Sequence, residues 1–147
     1  GFIIPDLPGD EAEEMFTAVR QRGLDLIQLV APTTPPERVR QIVRHCSGFV
    51  YCIAVAGTTG VRESLAAPLV EQLAWIKKET ALPLAVGFGL SRPEQLAPIR
   101  GLADGAIVGS AIVRHLEALT QPGTSADTVI RQTGEYAAAM VTAAHAV

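Results

Sequence analysis

Cysteine, lysine and histidine are all scarce in this 147-residue chain, and each shortage narrows what it can do. The two cysteines, Cys46 and Cys52, sit in apolar stretches without metal-ligand spacing, so two buried reduced thiols are expected. The only lysines, Lys77 and Lys78, lie in a helix-period segment, which leaves no strand-end amine to form a Schiff base. His45, His115 and His145 fall on expected helices, far from the strand ends, and form no ligand cluster, so neither a metal nor another cofactor is expected. There is no run long enough to span a bilayer and no signal peptide; a cytoplasmic location is the expectation. There is no basic block either. Twelve basic and 15 acidic residues give a formal net charge of −3, which speaks against nucleic acid and anionic membrane as partners. Nor is there an initiating Met: Gly1 leads directly into the apolar run Phe2-Ile3-Ile4. A natural domain seldom begins inside a strand, so a fragment is expected.

What the chain does contain is apolar surface to bury. It is 48% hydrophobic and 18% charged, with a mean hydropathy of +0.28, which suits strands covered on both faces. Apolar runs at Phe2–Pro5, Leu26–Val30, Phe49–Val55, Leu84–Phe88 and Ala106–Val108 alternate with helix-period segments. Asp10, Glu11, Glu13 and Glu14 open the first helix, and Arg20 and Arg22 close it before Gly23, in keeping with the helix dipole and a glycine C-cap. Ala12, Met15, Phe16 and Val19 share its apolar face. Thr34-Pro35-Pro36-Glu37 reads as a capping box with proline at the first helical position, and Ser91-Arg92-Pro93-Glu94 repeats that logic. Ile42, Val43 and Cys46 continue the second helix's stripe, and Leu69, Leu73 and Ile76 mark the third. A short helix after Ser110 and an Ala-rich one from about Asp127 complete the pattern. Strand–helix alternation implies a parallel α/β sheet of βαβ units. Periodicity alone leaves open whether that sheet is doubly wound or part of a closed barrel.

In parallel barrels the active site forms at the C-terminal ends of the strands. The segments after the five runs are Asp6-Leu7-Pro8-Gly9, Ala31-Pro32-Thr33, Ala56-Gly57-Thr58-Thr59-Gly60, Gly87-Phe88-Gly89 and Gly109-Ser110. The last three pair backbone-exposing glycines with a following helix start, and N–H groups at a helix N-terminus make a phosphate cradle. Asp6 is the only carboxylate directly at a strand end; turn chemistry before Pro8 and a functional role are both open to it.

With those segments in place, the chain resembles the tryptophan synthase α-chain family. Phe49–Gly60 is similar to that family's sixth strand and mobile loop, Pro83–Ser91 to its seventh strand and Gly-Phe-Gly turn, and Gly105–Val113 to its eighth strand and phosphate loop. Asp6-Leu7-Pro8 resembles the Asp-Val-Pro that ends the fourth strand. The resemblance runs in order along the whole chain. It implies a single domain over residues 1–147, a partial (β/α)₈ TIM barrel holding strands 4 to 8, with the first three units missing.

It further implies phosphate contacts from Gly60, Phe88, Gly89, Gly109 and Ser110, with Tyr51 pointing into the barrel beside the substrate and Thr59 helping to hold the loop. The family's reaction is the retro-aldol cleavage of indole-3-glycerol phosphate to indole and glyceraldehyde 3-phosphate. The resemblance assigns its proton transfers to a Glu and an Asp upstream of Gly1, so no catalytic residue is expected in this chain, and alone it should be inactive. The implied partner is a tryptophan synthase β chain, docked through loops that include Asp6 and Pro8; the isolated chain is expected to self-associate. Two other readings stand beside this one. One is a different phosphate-binding barrel enzyme, against which the Ala56–Gly60 loop and Tyr51 argue. The other is a non-catalytic half-barrel serving as a phosphate-binding or interaction module.

Overall fold

The computed structural model describes residues 1–54, 67–87 and 89–146. Five short strands, β1 (Phe2–Ile3), β2 (Leu26–Val30), β3 (Val50–Ile53), β4 (Leu84–Gly87) and β5 (Gly105–Ile107), form one sheet. Every neighbouring pair is parallel, and spatial order follows chain order. A doubly wound sheet needs a point where strand order reverses, and there is none among these five strands. The topology is that of a barrel wall, which closes the choice that periodicity left open.

The helices form much as local chemistry dictates, with three differences. Helix α1 (Ala12–Arg20) has Glu13 and Glu14 in its first turn and Arg20 in its last. Gly23 follows with φ +67°, and the Leu24 N–H donates to the Val19 carbonyl at 3.0 Å, so the predicted glycine terminator is present. Its buried stripe is narrower than predicted. Ala12 and Val19 are buried and Phe16 packs against them, but Met15 is exposed. The i, i+4, i+7 row is enough to cover the edge of the sheet, and Met15 falls outside it.

Helix α2 (Pro36–Arg44) begins with Pro36 at its first turn, as predicted, but the capping box does not form. The N-cap is Pro35, in extended conformation, with no side-chain cap. The Thr34 hydroxyl instead accepts the Ala31 N–H at 3.0 Å, and Glu37 pairs with Arg40 at 2.7 Å. Two consecutive prolines hold the chain extended before the helix and leave Thr34 outside it. Helix α3 (Ala67–Glu79) carries Lys77 and Lys78 in its last turn. The segment predicted as a fourth α-helix is a 3₁₀ helix over Pro93–Ile99 with Pro98 inside it. Its start is capped by Gln95 rather than Glu94: the Gln95 Oε1 accepts the N–H groups of Ser91 and Arg92 at 2.8 and 2.9 Å. Pro98 cannot donate to an α-helical ladder, and the tighter winding follows. After β5 come α4 (Ser110–Glu117), a 3₁₀ turn (Ala118–Thr120) and α5 (Ala126–His145), close to the predicted bounds.

Side-chain alternation gives the sheet two different faces. Val30, Cys52 and Val86 are register partners across β2, β3 and β4, and all three belong to one core cluster with Val39 and Ile42 of α2 and Leu69, Leu73 and Ile76 of α3. That is the helix-covered face. Both cysteines are free and buried there, and burial pushes the Cys46 thiol up to about 11 and the Cys52 thiol up to about 12. Cys52 packs as a small apolar side chain, while Cys46 Sγ also donates to the Phe49 carbonyl at 3.2 Å and accepts the Gln28 N–H at 3.4 Å. Leu73 is fully buried at the centre of this cluster. Leu73→Ala should therefore lower unfolding stability by about 2–5 kcal/mol through lost burial and the cavity left behind. A urea titration followed by circular dichroism measures this, and a loss below about 0.5 kcal/mol would show that α3 is not held by the sheet.

Candidate functional site

Because all five strands run in one direction, their C-terminal ends and the loops that follow share one edge of the sheet. The face away from the core helices carries two lateral rows. One is Leu29, Tyr51, Ala85 and Gly105; the other, nearer the C-terminal edge, is Ile53, Gly87 and Ile107. In the first row the residues beyond Tyr51 are small, so the phenol has room to lie across β4. A Cβ placed on Gly87 would fall 2.5 Å from Tyr51 Cζ and closer still to its hydroxyl, which no side chain tolerates. Gly87 is thus the seat of the Tyr51 ring. Tyr51 is half-buried, and desolvation raises its hydroxyl above the ordinary tyrosine range. The backbone at the top of β3 is clamped to β4 by the Ala54 N–H, which donates to the Gly87 carbonyl at 2.6 Å.

Gly87 pairs with Ile107, so Gly89 and Gly109 each lie two residues beyond a registered pair, at the same end of adjacent strands. Gly89 has φ +78°, a left-handed conformation that favours glycine. Gly109 is the N-cap of α4, and without a side chain it gives no cap bond. The first intrahelical bond of α4 runs from the Val113 N–H to the Gly109 carbonyl at 3.1 Å. The N–H groups of Ser110, Ala111 and Ile112 therefore have no intrahelical acceptor. Among the described residues, leaving out its chain neighbours, none comes within 4 Å of a Cβ placed on Gly109. N–H donors without an intrahelical acceptor and the positive end of the helix dipole are what an oxyanion requires.

The structure thus places Gly89, Gly109 and Ser110 just beyond the C-terminal ends of β4 and β5, with the Tyr51 ring reaching Gly87 at the end of β4. Thr59, Gly60 and Phe88 lie outside the described residues, as does the rest of the Ala56–Gly60 loop. Asp6 and Pro8 belong to a separate group. They are exposed at the end of β1, where the Leu7 N–H donates to the Ile4 carbonyl at 3.2 Å and closes a turn around Pro5-Asp6. With β2 and β3 between β1 and the glycine loops, these two residues are not part of the same site. Of the histidines, His115 packs at a tilt against Tyr136 and His145 ends α5. His45 differs from its expectation. It caps α2 with Nδ1 3.3 Å from the Gly9 carbonyl, so it sits against the loop after β1 rather than away from the strand ends. Residue-type reasoning counted Gly87 as one of the loop glycines; its role as the seat for Tyr51 needs the diagonal neighbour relation across β3 and β4.

Comparison with known proteins gives the family and the fold. Residues 1–142 match the family model described as the tryptophan synthase alpha chain. The chain is 51% identical over 119 residues to the tryptophan synthase alpha chain of Chloroflexus aggregans, covering 81% of this chain and 45% of the relative. It is 48% identical over 130 residues to that of Carboxydothermus hydrogenoformans, covering 88% and 49% respectively. Among solved structures, the alpha chain from Legionella pneumophila superposes with a TM-score of 0.76 at 31% identity, over 97% of this chain and 50% of that one. The Pyrococcus furiosus tryptophan synthase α2β2 complex gives a TM-score of 0.79 at 30% identity, over 95% and 54%. The chain spans about half the length of the curated relatives it matches, and its five parallel strands correspond to half of a TIM barrel. On a match that covers nearly its whole length, the chain belongs to the tryptophan synthase α-chain family.

Proposed function

We propose that these residues form the phosphate-binding half of an α-type tryptophan synthase lyase, one partial barrel domain acting on indole-3-glycerol phosphate in tryptophan biosynthesis in the cytoplasm. The observation that carries the reading is the uncapped N-terminus of α4 beside Gly109, level with Gly89 on the next strand and close to Tyr51. In this reading the α4 N–H groups, Gly89 and the Ser110 hydroxyl hold the phosphate, with Gly60 and Phe88 adding contacts. Tyr51 borders the indole-bearing end and Thr59 steadies the adjoining loop. The acid and base that move protons during carbon–carbon cleavage come from outside these 147 residues. Asp6 and Pro8, exposed on their own turn, face a tryptophan synthase β chain.

Titrating the chain with inorganic phosphate or glycerol phosphate should move the amide resonances of Gly60, Gly89, Gly109 and Ser110, and Gly109→Leu should abolish those shifts while helical content is retained. Shifts confined to other surfaces would remove the reading.

The chain alone should release no indole from indole-3-glycerol phosphate above a no-enzyme control. Each absent acid–base group is worth about 10²–10⁴-fold in rate, and phosphate binding that is equal in ground and transition states does not accelerate the step. Turnover by the purified chain would refute this. Restoration by an added N-terminal segment would separate an incomplete lyase from a binding module.

The chain should also self-associate. Phe2 and Ile3 on edge strand β1 are 48% and 45% exposed, and β1 and β5 each pair on one side only. An open strand edge with apolar side chains is a template for another copy. Light scattering at micromolar concentration decides this, and a monodisperse monomer would count against it.

A further inference from the structure

The two arms of the candidate phosphate site leave the sheet from adjacent strands. The β4 arm runs through Gly89 to Ser91 and into the 3₁₀ helix Pro93–Ile99, and the β5 arm is the N-terminus of α4. Strand register levels their bases. Beyond the strands the arms share an open cleft of about 320 Å³, lined by Ser91 of one arm, Ala111, Arg114 and His115 of the other, and Tyr136 of α5. Helix α5 packs on both α4 and the 3₁₀ helix, and at Tyr136 it reaches both arms.

The half-buried Tyr136 ring packs against the His115 ring of α4, with centroids 4.8 Å apart and planes at 42°. Its hydroxyl donates to the Ser91 carbonyl at 3.1 Å. Phenylalanine would serve the packing alone. A tyrosine adds a donor at the tip of the ring, and here that donor meets the backbone two residues beyond Gly89. Desolvation raises the hydroxyl above the ordinary tyrosine range, so it keeps its proton at neutral pH. Two other contacts hold the same arm: Leu90 is buried in the core, and Gln95 Oε1 accepts the Ser91 N–H at 2.8 Å. The first ties the arm to the core and the second to its own helix. Tyr136 ties it to α4 through His115.

We propose that Tyr136 is a positioning residue for the phosphate: it sets the spacing between the Gly89 turn and the first N–H groups of α4, so that one oxyanion is held from both sides. The proposal rests on the phosphate reading above and adds to that site a residue from the last helix, outside the glycine loops. Without the hydroxyl, the ligand itself must order the Gly89 arm, and the cost is bounded by what one hydrogen bond contributes.

The test compares the unaltered chain with Tyr136→Phe, which keeps the ring against His115. Inorganic phosphate is titrated into each and followed in ¹H–¹⁵N spectra. Affinity should fall about three- to tenfold, the range one net hydrogen bond allows. The shift at saturation should shrink more at Gly89 than at Ser110, because the α4 donors are untouched. With no phosphate present, the Ser91 N–H should exchange with solvent about threefold faster or more in the variant. A purely structural tyrosine would instead lower the urea midpoint and leave both the affinity of the folded chain and the ratio of the two shifts as they were. Should the variant not fold, the unaltered chain carries the test: saturating phosphate should move the Tyr136 ¹³Cζ resonance. Equal affinity in the two chains, shifts reduced alike at Gly89 and Ser110, unchanged Ser91 exchange or an unmoved Tyr136 resonance would overturn the proposal and leave the phosphate reading standing. An unaltered chain that binds no phosphate would remove both.

Discussion

The parallel register that joins β3, β4 and β5 is the constraint on which the rest of the arrangement depends. It pairs Tyr51 with Ala85, and Gly87 with both Ile53 and Ile107. Two consequences follow together. Val50, Cys52 and Val86 are committed to the helix side, where α2 and α3 bury them, and Tyr51 is committed to the other. The same register levels the ends of β4 and β5, so that Gly89 and Gly109 emerge side by side. A one-residue slip would turn every side chain of a strand to the opposite face, and the core and the candidate site would be lost at once.

Within that frame, glycine does two distinct jobs. Gly87 is required from inside the protein, because the Tyr51 ring occupies the space a Cβ would take. At Gly109 no atom of the other described residues, chain neighbours aside, competes for the Cβ position. The absence of a side chain there leaves the first N–H groups of α4 without a side-chain cap, which is the feature the proposed phosphate site uses. Glycines that look alike in the chain are thus separated by their surroundings into a packing position and an approach position.

Several local signals were legible without coordinates. The alternation of apolar runs and helical stripes located all five strands, and Gly23 and Pro36 perform the terminating and initiating roles their chemistry suggests. The capping motifs were less transferable. Thr34 and Ser91 have the residue types of N-caps, yet the Pro35-Pro36 pair holds Thr34 away from α2, and Gln95 takes over the capping of the Pro93–Ile99 segment. Such motifs assume that the side chain and the helix amides are free to meet, and prolines close by decide whether they are. Met15 shows the complementary effect: its spacing belongs to an apolar face, but it is buried only if a neighbouring element reaches it.

The order of residues by itself determined the class of fold, the division of strand residues between two faces, and the family, because periodicity and strand-end motifs are properties of short segments. Tertiary structure alone decided that the strands add in sequence without a reversal, that Tyr51 rests on Gly87, that Asp6 and Pro8 stand apart from the glycine loops with two strands between, and that the Gln28 side-chain amide nitrogen is buried without a protein acceptor. Each of these depends on which residues from distant parts of the chain become neighbours across the sheet, and that is settled by strand register and helix packing rather than by any local stretch of residues.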